Sequence, residues 1–168
     1  MKKLKKGVFQ LTDASLGWAL LFAGLIAVVW YGSKAISKPT TASEIVTITN
    51  IISDTRMLKS DGSGYGSINF VPSLIKSDIA GVTVSGDKIY NKSGGEITVV
   101  GTGIGFTVTT SGLSQGDCIK IATTLSGGDI AATKINNGTT SSTAIPADTA
   151  AASCTSGKTN MLSFTTNS

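Results

Sequence analysis

With 168 residues the chain has room for one domain plus an N-terminal helix, and the part after Lys38 is long enough to bury a core. The net charge of +4 comes mostly from Lys2, Lys3, Lys5 and Lys6; ten basic against nine acidic residues follow position 17, which leaves attraction to a phosphate backbone without support. Histidine is absent, which removes Ser-His-Asp and Cys-His catalysis and imidazole metal ligation.

The chain opens with a basic, then mixed stretch that ends in small residues. It leads into a charge-free run of 20 residues, Ala14 to Ser33, with Trp18 to Tyr31 as its apolar heart. A helix of that length rises about 30 Å, close to the hydrocarbon thickness of a bilayer. Lysines ahead of such a run hold the N-terminus in the cytoplasm and send the remainder across. An ordinary secretory signal is cut after its apolar stretch, yet no convincing A-x-A pattern stands directly after Tyr31. Any cut is therefore expected before the stretch, so that the apolar helix stays in the mature chain. The expected organisation is a leader over 1–17, an apolar membrane or filament-core helix over 18–38, and an exported domain over 39–168.

Gly24 and Gly32 are soft points in the apolar helix, and Pro39 bends it. Helical pattern resumes over about Ala42 to Lys59. Thr41 and Glu44 stand at capping-box spacing there, and Ile45, Ile48, Ile52 and Thr55 share a face with Ile51 and Leu58 beside it. The Gly/Ser-rich stretch after Lys59 reads as a loop, and a short helix is expected to begin near Val71, with Pro72 in its first turn and Leu74, Ile75 and Ile79 covering one side. Strands are expected at Val82–Val84, Lys88–Tyr90, Glu96–Val100 and Phe106–Thr110. Their short Gly-containing connections make the sheet antiparallel. Ser114 caps a helix with Cys118, Ile119, Ala122 and Leu125 along one side. Gly127 to Ala152 is low in complexity and is expected to be irregular surface structure, a plausible outer recognition face. A final strand spans Asn160–Thr166. The fold class is α+β: a long bent N-terminal helix, apolar in its first half, packed on an antiparallel sheet.

Cys118 and Cys154 lie in the part expected to be exported, where an even count favours pairing. A bridge between them closes a loop worth roughly 3 to 4 kcal/mol in the chain-entropy model. Two separate buried thiols are the alternative. The acidic residues form no glycosidase-like dyad. Gly101, Gly103 and Gly105 imitate part of a dinucleotide fingerprint but lie between strands with no helix after them. Gly157-Lys158-Thr159 resembles the end of a phosphate loop, but Ala152 stands where its first glycine is required. Asn91 and Asn137 head N-x-S/T triplets, a pattern common by chance in so Ser/Thr-rich a chain. No catalytic residue, metal ligand or cofactor site is expected. A retained apolar helix on a small exported domain serves instead as a tether, or as the core of a filament built from heterologous contacts.

These residues resemble the type IVb pilins, especially the major pilins of plasmid-borne and enterobacterial thin pili. The likeness runs through the basic leader ending in Gly17, the apolar GWALLFAGLIAVV, the EIVTITNIISDTRML continuation, the YNKSGGEITVVG strands, LSQGDCIKI, and IPADTAAASCTSGKTNMLSF. The resemblance implies the type IV pilin fold and a structural role, not an enzyme. It implies a precursor in the bacterial inner membrane, cut by a prepilin peptidase between Gly17 and Trp18 and methylated on the new N-terminus. It further implies an inner-membrane assembly machinery and a homo-oligomeric extracellular filament serving adhesion, aggregation or conjugation. Leu20, Leu21, Phe22, Leu25, Ile26 and Val29 would line the filament core, and Cys118 and Cys154 would close the C-terminal region. Type IV pilins usually carry a glutamate five residues into the mature chain; counted from Trp18 that position is Phe22. A minor pilin or pseudopilin-like tethered protein is the alternative role. Gly7 is the competing cut site, although the polar VFQLTDASLG after it is a poor start for a pilin helix.

Overall fold

The computed structural model describes residues 40–59 and 64–167. Helix α1 spans Thr40–Met57 and turns Glu44, Thr47, Ile48, Ile51, Ile52 and Thr55 inward, while Ala42, Val46, Thr49, Ser53 and Met57 form its exposed stripe. The expected apolar face is therefore rotated: Ile45 is only half-buried and a carboxylate, Glu44, takes a place in the buried row. Thr55 is tolerated inside because its hydroxyl donates back to the Ile51 carbonyl at 2.7 Å. The capping box does not form. Thr41 lies within the helix and donates to Asp117, while Glu44 turns toward Ser93.

Helix α2, Val71–Lys76, holds Pro72 in its first turn as expected but ends before Ile79, and is primed by Asn69, whose Oδ1 accepts the Val71 amide at 3.0 Å. Strands β1 (Thr83–Ser85), β2 (Lys88–Tyr90), β3 (Glu96–Gly101) and β4 (Phe106–Leu113) follow, and then helix α3 over Gln115–Leu125. Ser114 caps α3 by accepting the Asp117 amide at 3.2 Å. The stretch read as irregular surface contains β5 (Ala132–Ile135), β6 (Thr140–Ser141) and α4 (Ala147–Ser153). The last strand, β7, spans Asn160–Thr165. Local composition hid β5 because Ala-Thr-Lys-Ile has little strand bias of its own; pairing with β7 decides it.

All pairings are antiparallel, in the order β1-β2-β3-β4-β7-β5-β6. The C-terminal strand is thus inserted at the centre between β4 and β5. Two rows of side chains cross the inner face in register. One runs Ile89, Ile97, Thr110, Leu162, Ile135, and the other Val99, Val108, Phe164, Thr133. The outer face is hydroxyl-rich, with cross-strand pairs Thr107–Thr165 at 2.9 Å and Thr109–Ser163 at 3.0 Å. Helices α1 and α3 lie side by side over the inner face, and α4 packs on α3. Ile48, Ile51, Leu74, Phe106, Ile121, Leu162 and Phe164, all essentially inaccessible, form the core between the layers. Ile121 was not among the α3 residues expected to face inward. Near the end of β4 a bulge between Thr110 and Leu113 is made by Gly112 at φ 69° and by Gly95, where a Cβ would strike the Ser111 carbonyl.

Candidate functional site

Three features of the described domain bear on function: a buried polar anchor at the start of α1, a stapled C-terminal region, and exposed apolar side chains. Glu44 in the first turns of α1 is wholly inaccessible. Its Oε1 accepts from the Ser93 amide at 3.0 Å and from the Ser93 hydroxyl at 3.3 Å, which ties α1 to the β2–β3 turn, whereas Oε2 has no partner. Burial pushes the Glu44 carboxyl above its ordinary value; hydrogen bonds from Ser93 and the Lys92 backbone oppose the rise, and the charge of Asp117 on α3 adds to it. Asp117 in turn accepts from Thr41 and, at 2.6 Å, from Ser114. Two carboxylates distant in sequence therefore fasten the first turns of α1. Capping-box spacing near Thr41 was the only sequence signal there, and it pointed to a different role.

The turn that receives Glu44 is built by Asn91, which is buried. Its amide nitrogen donates to the Thr110 hydroxyl and the Ser111 carbonyl, both at 2.8 Å, and its oxygen accepts the Gly95 amide at 2.7 Å. Every polar atom of that side chain is engaged, so the Asn91 triplet is structural. Asn137 is exposed in the β5–β6 turn. Gly101 and Gly105 serve close backbone packing: a Cβ on the first would meet the Tyr65 and Gly66 carbonyls, and on the second the Thr166 carbonyl. That role accounts for two of the three glycines that imitated a nucleotide loop; the third, Gly103, stands at φ 90°.

Cys118 on α3 and Cys154, the residue after α4, are joined by a disulfide with a Cα separation of 6.0 Å. Around it runs an amide network that the sequence did not disclose. Asn160 is buried; its amide group donates to the Leu113 carbonyl at 3.1 Å and the Thr155 carbonyl at 2.8 Å, and its oxygen accepts from the Thr155 amide at 2.7 Å. Asn136, at φ 51°, donates to the Ser153 carbonyl at 2.9 Å and to Asn160 at 3.1 Å. These bonds hold the segment between α4 and β7, including Gly157-Lys158-Thr159, without regular structure of its own.

Exposed apolar side chains fall in two groups, apart from Val84 on the edge strand β1. Val46 and Met57 lie on the α1 stripe, while Ile68, Val100 and Ile104 sit near the β3–β4 connection, where Asn69 bridges to Val100 and Gly66 to Gly103. The ion pairs Lys88–Glu96 at 3.2 Å and Arg56–Asp129 at 3.5 Å are at the surface and contribute little. Among the described residues no group of acidic or cysteine side chains could hold a metal ion, and no helix is long and apolar enough to cross a membrane.

A family model described as PilS N terminal matches residues 38–167. The chain belongs to this family of type IVb pilins. The crystal structure of a type IVb pilin from Salmonella typhi is similar to it, with a TM-score of 0.59 and 30% identity, over 77% of this chain and 98% of that one. No curated relative matches the chain. The α+β architecture of this pilin, with a helix laid on an antiparallel sheet and the Cys118–Cys154 bridge, is that of its family. Pilins are structural proteins, and family membership is consistent with a role as a pilus subunit. The processing positions Gly17 and Trp18, the alternative Gly7, and Leu20, Leu21, Phe22, Leu25, Ile26 and Val29 lie outside the described residues.

Proposed function

We propose that this pilin is made as an inner-membrane precursor with a leader over 1–17, an apolar helix over 18–38 and an exported domain over 39–168. A prepilin peptidase cuts between Gly17 and Trp18, and the inner-membrane machinery transfers the apolar helix from the bilayer into the core of a surface filament used for adhesion, aggregation or conjugation. The observation that carries this reading is the likeness to a type IVb pilin over nearly the whole of that chain. It is supported by the charge-free run ahead of the domain, which suits lipid and a bundle of identical helices equally well. The exposed apolar side chains Val46, Met57, Ile68 and Ile104 provide contacts between copies, because a helical polymer joins two different surfaces of one subunit.

Intact-mass and N-terminal analysis of sheared surface filaments tests the reading: the expected mature chain begins at Trp18, and a chain beginning at Met1 overturns it. The second reading, a minor pilin or pseudopilin, is favoured by Phe22 standing where the family usually has a glutamate. It requires the protein to stay in membranes and to be scarce in filaments.

A further inference from the structure

The stretch from β5 to α4 encloses a cleft of about 280 Å³ that neither the fold nor the assembly reading uses. Ile135 and Ile145, both almost inaccessible, are among its lining residues, with Thr139, Ser141, Thr143, Thr149 and Ser153 supplying hydroxyls around them. We propose that this cleft is a binding site for a neutral sugar ring, either a free monosaccharide or the uncharged terminal residue of a glycan.

Three observations carry the assignment. First, the hydroxyls are available. On the outer sheet face Thr107, Thr109, Ser163 and Thr165 pair with one another, and on the helices Thr49, Thr55 and Thr123 bond back to carbonyls. In the cleft Ser141 and Thr143 are paired, but the hydroxyls of Thr139, Thr149 and Ser153 make no hydrogen bond to another of the described residues. Secondly, no charged side chain among the described residues lines the cleft, so an ionised ligand would give up hydration without a counter-charge, while a polyol exchanges water hydrogen bonds for protein ones. Thirdly, the walls are held in place. The Asn136 amide ties the end of β5 to the Ser153 carbonyl at 2.9 Å, Ser126 accepts the Ile145 amide at 2.7 Å, and the disulfide at Cys154 fixes the end of α4 to α3. A preformed cleft of this order of volume, with aliphatic surface and a few convergent polar groups, suits one small ligand. The absence of an aromatic platform sets the affinity in the millimolar range. The cleft lies wholly within the described domain, so binding there requires no assembly.

Saturation-transfer NMR on the full chain in phosphocholine micelles, whose headgroup carries no sugar, tests the site. The probes are glucose, galactose, mannose and the two N-acetylhexosamines, each at about 10 mM, with sialic acid as the charged comparison. At least one neutral sugar should receive saturation, sialic acid should not, and Thr149→Trp, a filling change at an exposed helix position, should abolish the signal. Thr149→Val with Ser153→Ala removes two of the free hydroxyls while sparing the cleft's shape, and should lower the signal several-fold. The proposal is overturned by silence from every neutral sugar, by equal transfer to sialic acid, or by signals that survive both variants.

Discussion

Replacing Glu44 with glutamine keeps the shape of the side chain and removes its charge. The carboxyl is inaccessible, one oxygen has no partner, and Asp117 lies near enough to disfavour a second negative charge. Its folded pKa stands above the ordinary 4.5, so the folded domain holds this proton more tightly than the unfolded chain does. By linkage, the stability Glu44 contributes is full below its unfolded pKa and is lost as pH rises through the raised folded value. Glutamine retains an oxygen for the Ser93 amide but leaves no buried charge. Relieving an unsatisfied buried ionised group should be worth about 1 to 2 kcal/mol at pH 7, or roughly 3 to 5 °C in Tm per kcal/mol for a domain of this size. Thermal unfolding of the full chain, followed by circular dichroism from about pH 4 to pH 8, measures the difference between the two proteins. The Glu44→Gln advantage should be near zero at the acid end and grow toward neutrality. A difference that stays flat or shrinks with pH would refute the reasoning. Glu44→Ala adds a packing loss to the removal of charge: it strands the Ser93 amide and leaves a cavity, and should cost about 2 to 4 kcal/mol at the acid end of this range and less toward neutrality, because the buried charge goes with it.

Cys118→Ser with Cys154→Ser opens a loop of sequence separation 36 and should lower stability by roughly 3 to 4 kcal/mol, seen as a melt matching that of the wild type under reducing conditions. Asn160→Ala strands the Leu113 and Thr155 carbonyls and the Thr155 amide, and should cost about 2 to 4 kcal/mol in denaturant unfolding. Ser114→Ala removes the α3 cap for about 1 kcal/mol by the same measurement. Met57→Lys and Ile104→Lys, both at exposed positions, should change stability by less than about 0.5 kcal/mol while lowering filament yield in shearing assays; unchanged yield removes these side chains from the assembly contacts.

Much of the architecture was legible because its signals are local. The alternation in Glu96–Val100, Pro72 at a first turn, and Ser114 three residues before Asp117 each specify an element through geometry internal to a few residues. The segment from Gly127 to Ala152 was not legible, because Thr, Ala, Asn and Gly carry weak preferences that neighbours decide. β5 exists only because β7 offers it an edge, and the rims of the sugar cleft come with it. Glu44 shows the same limit at one residue. By type and spacing it reads as a surface cap, yet the Ser93 amide lies 49 positions away in sequence and only the folded chain brings it within reach.

Taken alone, the sequence determined the α+β class, the antiparallel sheet and the only pairing open to the two cysteines. Each follows from periodicity, short connections or a count of two, none of which depends on what packs against what. Tertiary structure decided the central insertion of β7, the rotation of α1 that buries a carboxylate, and which asparagines are structural. The physical reason is the same in each case. A buried polar group is tolerated only where a partner from a distant part of the chain satisfies it, and the pairing of distant segments is set by the whole core rather than by any stretch of sequence.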